Sequence, residues 1–268
     1  RLFSDIDLRY VRGFDMFLQK RGCCGNTRKF YFKALRAILN RANAEGVGSA
    51  ATYPFGRGGF EVSKLEEATA KRYLPAAELS KLKSTTASNP QCEYARKLFL
   101  FSYYCYGISF IDMAMLTTAH IKQMEDGDYI VYKRQKIKRQ KGVKPISIKI
   151  TPAIRQLIGS LQAASPTVDD FLLPIVTRSG YTGERLYMHI RTRYSKYQKY
   201  LRLLAEELGI DFHLTSYVSR HTAAMTLQRN HIPREVISQM LGHADLETTN
   251  IYLDSFDNEV INEAAKVL

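Results

Sequence analysis

A chain of 268 residues can hold one large domain or two modest ones, and a hydrophobic fraction of 45% excludes a disordered chain. Lys and Arg number 39 against 26 Asp and Glu, so the net charge of +13 calls for a polyanionic partner. No run of about 18 apolar residues exists, and the opening RLFSDIDLRY lacks the basic-then-apolar order of a signal peptide; neither a membrane span nor secretion is expected. The four cysteines, Cys23, Cys24, Cys92 and Cys105, form no separated Cys-x-x-Cys pairs. Free thiols in a reducing compartment are expected, with no zinc site. The chain opens on Arg1 rather than methionine, which fits a fragment.

In chain order, Ile6, Tyr10, Phe14 and Phe17 or Leu18 recur three or four apart and predict a helix over 6–19, broken by Gly22 and Gly25. Asn26 or Thr27 can start a second helix through Tyr31, Leu35, Ile38, Leu39 and Ala42, stopping near Gly46 and Gly48. Arg28, Lys29, Lys33, Arg36 and Arg41 lie on or beside its polar face. They are either a solvated surface or a phosphate-tracking one. Residues 51–70, punctuated by Pro54, Gly56, Gly58 and Gly59, read as loop. A short helix anchored by Leu79 and Leu82 follows Pro75. The strongly apolar stretch 93–104 is the expected centre of a second core. Gly107 interrupts it, and Ser109 can cap the next short helix, with Asp112 as the acid at its third position and Met113, Met115 and Leu116 inward.

Strands are expected at 129–132 and 147–150, bracketing the run KRQKIKRQKGVKP. Its charges, Lys133, Arg134, Lys136, Lys138, Arg139, Lys141 and Lys144, are all positive. A single-sign block repels itself unless an anion sits nearby. With Gly142 as its turn, it reads as a basic β-hairpin with Arg134, Lys136 and Lys138 on one strand face. Thr151 and Pro152 open another helix. Residues 190–208 form a long basic helix carrying Arg191, Arg193, Lys196, Lys199 and Arg202, ended by Gly209. The fold class is therefore mainly alpha with a small antiparallel β-sheet, divided into a helical domain and linker over 1–70 and a larger domain over 71–268.

The last third holds the most specific pattern. Residues 215–229 read as a mostly buried helix with Val218, Ala223, Met225 and Leu227 inward. Pro233 can open the next helix, and Gly242 ends it, leaving His243 just past a helix end. Asp245 can cap a third helix that brings Tyr252 to the same place as Arg220 and His243. Tyr252 is one of 17 tyrosines and gains meaning only from these companions.

The order Arg220-His221, Leu241-Gly242-His243, Tyr252 resembles the active-site half of the tyrosine recombinases, the phage-integrase family. The match is specific over 72–253 and weaker over the N-terminal hairpin. It implies a helical SAM-like core-binding domain, shortened at its start, before an α+β catalytic domain. It implies a site-specific recombinase or integrase that cleaves DNA through a 3′-phosphotyrosyl bond to Tyr252, with neither metal nor ATP. Arg220 and His243 would hold the phosphate, and Lys136 of the hairpin would protonate the leaving 5′-oxygen. Double-stranded DNA is the implied partner. So are a tetramer assembled on DNA from a protein that can be monomeric when free, an accessory DNA-bending protein, and work at the nucleoid in bacterial cytoplasm.

Two departures stand out. Tyr217 occupies the first slot of the His-x-x-Arg element. In the run Gly107-Ile-Ser109-Phe-Ile-Asp112, Ser109 stands where the family carries its first arginine. Integrases of Bacteroidales mobile elements look similar, with an arginine just before the glycine, but here that residue is Tyr106. Arg134 or Arg139 could reach in from the hairpin instead. The alternative reading is a DNA-binding protein that keeps the fold and has lost catalysis.

Overall fold

The structure is a computed structural model that describes residues 2–67 and 73–243. The chain divides into two compact units, Arg1–Ala70 and Lys71–Leu268. Each builds its own core.

In the first unit, helix α1 (Leu8–Lys20) is capped by Asp7, whose carboxylate accepts from the Tyr10 N–H. Helix α2 (Gly25–Ala44) follows after a short turn. Val11, Leu18, Phe32, Leu39, Phe55 and Val62 form the core. The inward face of α2 differs from the expected one. Phe32 is fully buried, whereas Tyr31 and Ile38 are exposed. Phe55 and Phe60, from the loop after α2, pack on Phe32 and select its stripe over the neighbouring one. A single turn of 3-10 helix, Val62–Leu65, lies within that loop.

The second unit is built on α4 (Pro90–Tyr104), which packs against α6 (Pro152–Ala164), α7 (Gly183–Glu207) and α8 (Ser216–Arg229). Asn89 caps α4 and Pro90 occupies its first turn, where a missing N–H costs nothing. Leu98, Phe99 and Phe101 of α4 are fully buried, so hydrophobic burial is concentrated here. The short α3 (Ala76–Ser84) leads in and α5 (Phe110–Ala114) follows α4. A three-stranded antiparallel sheet, in the order β1 (Ile121–Met124), β2 (Gly127–Tyr132), β3 (Ile146–Lys149), covers one side. Ile130 pairs with Ile148 in register and both point into the core. Helix α9 (Arg234–Leu241) packs on α8 and β3.

Three expectations are corrected. Strand β1 was not foreseen, because IKQM is mostly exposed and shows no apolar alternation. Helix α7 begins two turns before residue 190. Most consequential, residues 133–145 carry no strand. The chain turns at once, with Ile137 N–H bonded to Arg134 O and Gln140 N–H to Ile137 O. Arg134, Lys136 and Lys138 therefore share no strand face. Seven like charges offer no favourable cross-strand pairs, so the ladder stops where they begin.

Candidate active site

Helix α8 brings the buried guanidinium of Arg220 to the centre of this unit. Its Nη1 donates to Gly107 O at 3.2 Å, and its Nη2 donates to Leu241 O and, at 2.9 Å, to His243 Nε2. A guanidinium only donates, so that ring nitrogen accepts. The close approach requires Gly107. Its φ is 72°, and a Cβ there would overlap Cα and the side-chain carbons of Arg220. Ser102 and Ser219, both buried, meet at 2.8 Å, and Ser102 Oγ also donates to Ile108 O. These bonds tie α4, the Gly107 turn and α8 together.

His243 is set by the end of α9. Gly242 adopts the left-handed conformation, φ 62°, and the His243 N–H returns to Ser238 O at 3.1 Å. A Cβ at 242 would strike Ile146 of β3, so this turn also depends on glycine.

The Asp112 carboxylate acts on Arg220 through space only, without an ion pair. Among the described residues no Asp or Glu lies within ion-pair distance of it, and its Nε, buried, has no hydrogen-bond partner. Burial, and next the neighbouring Arg134 guanidinium, pull its pKa down to about 10. It therefore stays protonated at neutral pH, desolvated and, among the described residues, without an ion-pair partner.

Ser109 does cap α5, accepting from the Asp112 N–H at 3.3 Å, and its hydroxyl donates to Asp112 Oδ2 at 2.6 Å. Buried Asp112 has a second bond that the sequence reading missed: Oδ1 accepts from the Gln135 N–H at 2.7 Å. A lone acid in an apolar run was the available signal. A cleft of about 420 Å³ opens between Gly107–Ile111 and α7, lined by Ser109, Arg134, Arg191, Tyr217 and Arg220. Tyr217 is half-exposed there, with its ring edge-on to His221. A second cleft, about 650 Å³, reaches His243 from the other side, between α9 and the basic segment.

Of the predicted site residues, Arg220, His243, Ser109, Tyr217, Arg134 and Arg191 line these clefts. Lys136 sits on an exposed turn and lines neither. Lys141 and Lys144 line the second cleft with His243. Lys138 and Arg139 are exposed. Arg193 folds inward, its Nε donating to Ile175 O at 3.1 Å, while Lys196 is exposed. In the first unit Lys33 and Arg36 are exposed. Arg28 is held in a mostly buried ion pair with Asp15 at 3.0 Å, and Lys29 pairs with Glu66 at 2.7 Å. Those two cations are already engaged within the unit rather than presented on a solvated face. Tyr252 and the helix expected from Asp245 lie outside the described residues. Among the described residues no group of three His, Cys, Asp or Glu could hold a metal ion, and no helix is long and apolar enough to cross a membrane.

Comparison with known proteins gives a consistent result. A model of the phage integrase family matches residues 72–259, and one of the phage integrase SAM-like domain matches residues 2–62. Tyrosine recombinase XerD of Halalkalibacterium halodurans is 43% identical over 54 residues, 20% of this chain and 18% of the relative. Tyrosine recombinase XerC of Rhodospirillum centenum is 31% identical over 114 residues, 42% of this chain and 31% of the relative. The matched stretches thus span less than a third of either curated relative. Among solved structures, the XerH site-specific recombinase bound to a palindromic difH substrate aligns with a TM-score of 0.66 at 18% identity, over 98% of this chain and 73% of that one. The Tn1549 transposon integrase in complex with circular intermediate DNA gives 0.65 at 13%, over 99% and 86%. At such identities the likeness is one of fold.

Proposed function

The chain belongs to the phage integrase family, and on that premise we propose that it is a site-specific DNA recombinase that cuts and rejoins double-stranded DNA through Tyr252. The observation that carries the proposal is the Arg220–His243 pair: a buried guanidinium with no ion-pair partner among the described residues, 2.9 Å from a histidine and lining a cleft. A phosphodiester supplies the missing negative charge. Arg220 then donates to a non-bridging oxygen, and its Nε gains a partner. His243 carries its hydrogen on the other ring nitrogen, through which it donates a hydrogen bond to the same phosphate.

In the reaction the phenolic oxygen of Tyr252 attacks phosphorus as the phenol loses its proton. The bond to the 5′-oxygen breaks, and that oxygen takes a proton from a general acid. The product is a 3′-phosphotyrosyl bond and a free 5′-hydroxyl. The phosphodiester energy is kept, and the reverse attack by another 5′-hydroxyl rejoins a strand. Lys136 is the acid that the family resemblance assigns. Its exposed turn would have to close over the cleft to serve. The fuller reading has protomers assembling as a tetramer on two DNA sites, from a protein that can be monomeric when free, with a DNA-bending accessory protein. It places the work at the nucleoid of the bacterial cytoplasm, on a mobile element of the Bacteroidales type.

The test is a duplex with a 5′-bridging phosphorothiolate, whose leaving group needs no acid. Duplexes tiled across the ends of the element encoding the chain serve as probes. An adduct that survives denaturation with wild type and vanishes in Tyr252→Phe is the expected result. Specific binding without any adduct would favour the binding-only reading, for which the serine at 109 is the argument.

A further inference from the structure

We propose that Arg134 is a catalytic residue: its guanidinium is the second cation on the scissile phosphate, taking the part left vacant by the neutral Ser109. The proposal rests on the recombinase reading above.

A phosphate with two non-bridging oxygens gathers negative charge as the phosphorus is attacked, and one guanidinium from Arg220 covers only part of it. Position 109 offers no cation, and its hydroxyl proton is already given to Asp112 Oδ2. Arg134 stands in the same place by another route. Its Nη1 donates to Gly242 O at 3.1 Å. Arg220 donates to the adjacent carbonyl, Leu241 O, and to the adjacent ring, His243. Both guanidinium groups are thus moored on consecutive residues of one helix-ending turn. They line one cleft together with Ser109. Among the described residues neither is in an ion pair. Two like charges held close together with no ion-paired carboxylate among the described residues repel each other, and a phosphate between them removes that cost.

The aim of Arg134 follows from Asp112. The same carboxylate that ties down Ser109 also takes the N–H of Gln135 at 2.7 Å. It fixes the chain one residue beyond Arg134 as the strand ends, so a residue from the basic segment is turned into the cleft. Arg139, the other candidate from sequence, is exposed and lines neither cleft. Arg191 lines the first cleft from α7 but has no bond to the Leu241–His243 turn.

The experiment uses the phosphorothiolate duplex on which wild type forms its Tyr252-dependent adduct. Arg134→Ala is expected to slow adduct formation about 100- to 1,000-fold, the loss seen when one oxyanion donor is removed. Arg134→Gln keeps a donor for Gly242 O without the charge. It should lose nearly as much, and it carries the test if the alanine variant does not fold. The same duplex is then made with a methylphosphonate at the scissile position, which replaces one non-bridging oxygen and removes the negative charge. There most of the defect should disappear, because the charge that Arg134 neutralises is gone. A merely structural role would leave the defect equal on both duplexes. Near-wild-type cleavage by either variant, an equal defect on both duplexes, or a charge-dependent defect that appears in Arg191→Ala instead would overturn the assignment while leaving the recombinase reading intact. No wild-type adduct on a duplex that the protein binds would remove both.

Discussion

Gly107 has a φ of 72° and no side chain, and the backbone of Arg220 occupies the space a Cβ would take. Its carbonyl, turned inward by that conformation, accepts from Arg220 Nη1. One residue therefore both admits the Arg220 guanidinium and holds one of its nitrogens. Gly107→Ala should lower stability by about 1–3 kcal/mol from the left-handed backbone alone. Relief of the overlap should then push Arg220 off its place. Urea denaturation measures the first effect, and the rate of adduct formation the second. A variant that unfolds more easily yet cleaves at the wild-type rate would mean the carbonyl does not position Arg220. Gly242 makes the parallel demand at the other end of the site, where Ile146 fills the space. The positions that tolerate least change here are thus two glycines, each set by the side chain packed against it.

Between elements, Asp112 joins α5 to the exit of β2 through two hydrogen bonds, one from the Ser109 hydroxyl and one from the Gln135 N–H. Its carboxylate is buried, and hydrogen bonds to a charged group contribute about 1.5–3 kcal/mol. Asp112→Ala should cost a loss of that order in a urea melt. It should also raise hydrogen exchange at Gln135 and Ile137, where the basic segment leaves the sheet, and slow cleavage by freeing Arg134. Unchanged exchange there would show that the segment is held by something else. Elements of this kind were readable from sequence where the signal is local. Ser109, Thr151 with Pro152 and Gly242 mark helix ends through bonds made within a turn. The separations of Arg220 and His243 were readable for the same reason, since two short helices carry them. The inward face of α2 was not, because Phe32 is chosen by loop residues more than 20 positions later. Nor could the anchor of Arg134 be read, because Gly242 O is 108 residues away along the chain. The flanking strands do pair, but the turn expected at Gly142 does not carry strand into 133–145, because charge repulsion outweighs the gain of extending the ladder.

For the molecule as a whole, the net charge of +13 matters less than which cations are already paired. Arg28, Lys29, Arg96, Lys149 and Arg155 each sit on a carboxylate. Among the described residues, the seven cations of 133–144 form no ion pair. Binding to a phosphate backbone releases counter-ions only from charges that are free to replace them. Each phosphate contact steepens the plot of log affinity against log salt by about 0.9 for duplex DNA. Replacing Lys138, Arg139 and Lys141 together with Gln should therefore flatten the slope by about 2.7. Affinity should fall by a similar factor on specific and random duplexes, because phosphates carry no sequence. Arg28→Ala should leave the slope unchanged. It strands Asp15, a mostly buried carboxylate, and should cost about 1–3 kcal/mol of stability in the first unit. Fluorescence anisotropy across a sodium chloride series, paired with urea melts, separates the two outcomes. If the triple variant kept the wild-type slope, the basic segment would lie away from the backbone, and its unpaired charge would need a different anion. If Arg28→Ala flattened the slope, the Asp15 pair must open on DNA, and the first unit would reach phosphate with a cation that is held internally when DNA is absent.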